Sequence, residues 1–73
     1  KRRGILVQVR IADFPELAKL CWNRPEATVL DGPVALSIYE RNWRHVDEDA
    51  LGADEAALIE TLTNLHGNGV FLA

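Results

Sequence analysis

The chain has 73 residues, 48% of them apolar and 26% charged, with one cysteine, no methionine and a formal net charge of −3. This composition suits one globular domain over residues 1–73, near the lower size limit for folding alone, and it argues against intrinsic disorder. The lone Cys21 excludes an internal disulfide framework, and no apolar run is long enough to cross a bilayer, so a cytoplasmic setting without membrane contact is expected.

KRRGILVQV opens like a signal peptide, but Gln8 and Arg10 interrupt the apolar run and no small-residue cleavage site comes after it. Because methionine is absent, residue 1 is not expected to be the encoded start. Ile5, Leu6, Val7, Val9 and Ile11 form a β-branched run too short for a helix, which predicts a strand. Next, ADFPELAKLCWNRP predicts a helix. Asp13 is placed as N-cap, Pro15 suits the first turn, and Glu16 sits three residues after Asp13 as in a capping box. Leu17, Leu20 and Cys21 share its apolar face, and Pro25 ends it. PEATVLDG is a connection with room for one short extended piece.

Asp31-Gly32-Pro33 is a second start signal, with Asp31 as cap. At about 100° per residue, Val34, Ala35, Leu36, Ile38, Tyr39, Trp43 and Val46 fall in one arc, opposite Ser37, Glu40, Arg41 and Arg44. That predicts an amphipathic helix with its aromatics turned inward and its arginines outward. Asp47, Glu48 and Asp49 then form a polar loop. In ADEAALIETLTNLHG, Leu58, Ile59, Leu62 and Leu65 make a third helical face, and Asp54 and Glu55 suit the positive end of the helix dipole. Gly67 is expected as a left-handed stop and Asn68-Gly69 as a turn. Val70-Phe71-Leu72 reads as a strand able to pair with residues 5–10. The expected fold is therefore α+β, mainly helical, in the order β-α-α-α-β, with a two-stranded sheet built from the termini.

The charges are segregated. Residues 1–44 hold all eight Lys and Arg against five acids, a balance of +3, whereas residues 45–73 hold six acids and no Lys or Arg, a balance of −6. Such a bipolar chain can pair head to tail or dock a charged partner.

Few motifs carry chemistry. Cys21, His45 and His66 are not at zinc-motif spacing, and Cys21 on an apolar helix face is expected to be an inert buried thiol. Nothing places Cys21 near a histidine for nucleophilic catalysis, Ser37 stands in no motif, and Asp47-Glu48-Asp49 lacks the glycine and glutamate register of a calcium loop. Gly67-Asn68-Gly69 comes after a helix and does not lead into one, so it is no phosphate loop. No metal, cofactor or catalytic residue is expected, and the chain is read as a non-enzyme.

Two binding readings remain. Trp22, beside Arg24, is expected to close one end of the core, with a hot spot for a partner or a second copy as the competing role. Arg41, Arg44 and His45 share a sector that, with Lys1, Arg2, Arg3 and Arg10, could meet nucleic acid in a helix-turn-helix. The acidic pI of about 5.2 opposes that second reading. The stretches CWNRP, YERNWR and GNGV resemble small bacterial proteins, a resemblance that implies no fold or activity. The expectation is a small non-catalytic interaction or regulatory module, self-associating or bound to another protein. Trp22, Arg24, Arg41 and Arg44 are its contact residues. A nucleic-acid-binding protein is the alternative.

Overall fold

The computed structural model describes residues 7–72. Its elements are β1 (Gln8–Arg10), α1 (Pro15–Leu20), β2 (Val29–Asp31), α2 (Gly32–Arg41) and α3 (Ala53–His66), with 3-10 turns over Ile11–Asp13, Trp43–His45 and Glu48–Ala50. The fold is α+β and mainly helical, with three helices and a two-stranded antiparallel sheet, as the sequence predicts. The partner of β1 is corrected. β1 pairs with β2 in the register Gln8–Asp31, Val9–Leu30 and Arg10–Val29. It does not pair with the tail.

The reason lies in where the chain is directed at each segment. β2 runs directly into α2, whose first amide, Gly32 N–H, donates to Val7 O at 2.8 Å and closes the ladder. Val9 and Leu30, opposite each other, both point into the core. The tail leaves α3 through Asn68 and Gly69, both in the left-handed region at φ 54° and 80°. Gly67, expected in that conformation, has φ −113° and ends the helix with its N–H on Thr63 O. Past this turn the tail lies along the end of α2. Phe71 meets Trp43 edge to face at 4.9 Å, and Leu72 N–H donates to Glu40 Oε2 at 2.9 Å. Residues 5 and 6 of the expected first strand lie outside the described residues.

The core gathers Val9, Ile11, Leu17, Cys21, Leu30, Ala35, Leu36, Tyr39 and Leu62. α2 therefore packs through Ala35, Leu36 and Tyr39, against α3, α1 and the sheet. Val34 and Leu65, both expected inside, are 44% and 41% exposed. The buried stripe of α3 is rotated from the expected face and includes Glu55, Leu62 and Thr63. Thr63 hides its hydroxyl by donating to Ile59 O at 2.8 Å, one turn back.

α1 starts differently from its sequence signature. Asp13 belongs to the preceding 3-10 turn, and the N-cap is Phe14, whose side chain has no acceptor. The first amides of α1 are instead satisfied by Glu55, which reaches across from the first turn of α3. Asp31 does occupy the N-cap position of α2, but makes no side-chain capping bond.

Candidate functional site

The most polar buried point is this Glu55 carboxylate, 2% exposed. Its Oε1 accepts Glu16 N–H at 3.1 Å, and its Oε2 accepts Leu17 N–H at 2.9 Å and the Tyr39 hydroxyl at 2.6 Å. Three donors from two helices thus converge on one side chain of the third. The negative charge lies at the positive end of α1, and burial is tolerated because both oxygens are hydrogen-bonded. Desolvation, reinforced by the bond to Glu55, pushes the Tyr39 phenol far above its ordinary range. With every polar atom committed, this cluster is a structural tie between helices.

Glu16 extends it. The Lys19 ammonium lies 2.7 Å from Glu16 Oε1, and the same oxygen accepts Asp47 N–H at 2.9 Å. The bond to Lys19, followed by that to the Asp47 amide, holds the Glu16 carboxyl below the usual carboxylate range. The acidic loop between α2 and α3 is thereby anchored to α1.

Trp22 stands outside this framework. It comes two residues after α1 and is 82% exposed, so its expected place at the end of the core is corrected. The physical reason is its position. Cys21, the C-cap of α1, is buried and opens the turn that carries the next residue's indole outward. The ring borders a depression of about 480 Å³ lined by Lys19, Leu20, Asn42 and His45. Arg24 is exposed in the same turn, its N–H bonded to Cys21 O at 2.8 Å. Behind it, Cys21 is buried, and burial raises its thiol pKa.

Arg41 and Arg44 are exposed on a neighbouring groove of about 520 Å³ shared with Glu40 and Trp43. The separation of arginines from aromatics holds for Tyr39, which is fully buried, but not for Trp43, which is half-buried and lines the same groove as both arginines. Of the expected contact residues, Trp22 borders one depression, Arg41 and Arg44 border another, and Arg24 lines neither.

A third depression, of about 350 Å³, lies at the opposite end of α1. Pro15, Ala50, Gly52 and Ala53 line it with small side chains, Asp13 and Asp54 add charge, and Glu55 lies behind. No sequence motif pointed to it. Among the described residues, no group of three or more His, Cys, Asp or Glu could hold a metal ion. No helix of the described residues is long and apolar enough to cross a membrane. Comparison with protein-family models, with curated proteins and with solved structures finds no match for this chain.

Proposed function

We propose that the chain is a non-catalytic interaction module of the bacterial cytoplasm that associates with itself through a surface containing Trp22. The observation that carries this reading is the 82% exposure of the Trp22 ring beside a depression. Exposing an indole is costly in water, and tryptophan and arginine are among the residues that most often anchor protein interfaces. The small core adds a second argument, since a domain of this size retains only ~3–5 kcal/mol and gains from further buried area.

The alternative, a nucleic-acid-binding protein, draws on Arg41 and Arg44 beside Trp43. It is disfavoured by the connections between helices. β2 lies between α1 and α2, and two 3-10 turns lie between α2 and α3, where a helix-turn-helix needs a turn of about 3–4 residues.

Sedimentation velocity over a range of protein concentrations tests the proposal. Wild type is expected to gain mass with concentration, and Trp22→Ala to remain monomeric with an unchanged circular dichroism spectrum. A wild-type monomer at every concentration would overturn the self-association reading. If Arg41→Glu with Arg44→Glu removed a salt-sensitive affinity for duplex DNA, the alternative would replace it.

A further inference from the structure

We infer that self-association is head to tail, with Trp22 of one copy seated in the Pro15–Ala53 depression of the next. This rests on the self-association reading and adds to it the acceptor surface and the symmetry.

Three observations converge. The first is shape. An exposed indole projects from one end of α1, and a depression of about 350 Å³ opens at the other end, lined by Pro15, Ala50, Gly52 and Ala53. Small apolar side chains leave room for a flat ring, and helix α1 separates knob from socket by only about 9 Å of rise. The second is charge. Exposed Lys19, Arg24 and His45 accompany Trp22, whereas exposed Asp13 and Asp54 border the socket. Lys19 is bound to Glu16 and Asp13 contacts Arg10 at 4.0 Å, so among the described residues Arg24 and Asp54 remain as the complementary pair. The third is the segregation of charge along the chain. The loop leading to the socket carries exposed Asp47, Glu48 and Asp49, and residues 45–73 contain no Lys or Arg.

A two-fold interface of Trp22 on Trp22 would set Arg24 against Arg24, a like-charge contact. The head-to-tail arrangement sets Arg24 against Asp54. A heterologous contact uses different surfaces on the two copies, so it continues into a ring or a filament and does not stop at a dimer.

Complementation distinguishes the two. Trp22→Ala removes the knob and keeps the socket, and Asp54→Lys reverses the socket charge and keeps the knob. Both positions are exposed, and circular dichroism checks that both variants fold. Each alone is expected to associate on the order of 30-fold more weakly than wild type, as for an interface hot spot. Mixed, they should form a 1:1 complex of wild-type affinity that grows no further, because only one knob and one socket remain intact. Ala53→Gln, which narrows the socket without changing charge, should substitute for Asp54→Lys in the mixture. Wild type that stops at a dimer, or variants that fail to complement while wild type associates through Trp22, would overturn the head-to-tail arrangement alone. A wild-type monomer overturns it together with the self-association reading.

Discussion

Glu55 caps a helix that lies 38 residues away in sequence: its Oε2 accepts Leu17 N–H at 2.9 Å, inside the first turn of α1. A capping side chain ordinarily belongs to the residue just before the helix. Here Phe14 occupies that position and packs its ring against the core, so the acceptor comes from α3. A local function has become a tertiary one, and the start of α1 depends on α3 being docked.

Glu55→Ala is therefore expected to unfold the domain. It leaves two buried amides and the Tyr39 hydroxyl without an acceptor, at a cost of ~3–5 kcal/mol. That equals the margin of a domain this small, ~3–5 kcal/mol. Glu55→Gln keeps one carbonyl acceptor but turns an amide donor toward other donors, so it should stay folded and lose ~1–3 kcal/mol. Urea denaturation monitored by circular dichroism measures both, and wild-type stability in Glu55→Ala would show that the cap is dispensable.

Tyr39 predicts an alkaline limit. Its folded pKa is raised above an ordinary value of 10.0. The folded state thus holds the proton more tightly than the unfolded chain does. The corresponding stability is fully present below about pH 10 and is lost as pH rises beyond it. Tyrosinate absorbance should appear only with unfolding, and the stability of Tyr39→Phe should fall less steeply above pH 10. Tyrosinate formed in the native state near pH 10 would contradict the buried Tyr39–Glu55 bond.

Glu16 sets an acid limit of opposite sign. Its folded pKa is lowered from an ordinary 4.5 by Lys19 and the Asp47 amide. The linked stability is present above that ordinary value and is lost as pH falls through the folded one. Glu16→Gln should be less stable than wild type at neutral pH, with the two converging in acid. Lys19→Met should give a smaller shift in the same direction, because Lys19 is half exposed and solvent screens the pair. Parallel pH profiles for wild type and Glu16→Gln would rule out this contribution.

A glycine and a histidine hold the junction of α2 and α3. A Cβ on Gly32 would lie 2.6 Å from His66 Nε2 and 3.3 Å from Leu62 Cδ2. That Nε2 is buried without a hydrogen-bond partner. Gly32→Ala is expected to cost ~1–3 kcal/mol through overpacking. In a His66→Ala background the 2.6 Å contact is gone and only the 3.3 Å approach to Leu62 remains, so the same substitution should cost less. A double-mutant cycle in urea reads the difference. An equal cost in both backgrounds would mean that something other than the imidazole excludes the methyl group.

The amino-acid sequence by itself determined what is local. The apolar period of residues 53–66, Pro15 at the start of α1, Asp31 before α2 and the left-handed turn at Asn68-Gly69 are all properties of short segments, governed by backbone sterics and helical periodicity. Glu55 was legible in principle: it precedes Ile59 and Leu62 by one and two turns on the same stripe. Its charge instead suggested only a place at the positive end of the α3 dipole, because a buried carboxylate is not expected until its donors are known. Tertiary structure alone decided the rest. Strand pairing depends on where α2 and the tail are directed, so β1 took β2 as its partner while Phe71 went to Trp43. The exposure of Trp22 depends on the turn after α1, where a single residue of rotation separates the buried Cys21 from the outward indole. The depression between Pro15 and Ala53 joins residues distant in sequence, so its lining is complete only once the start of α3 lies beside the start of α1.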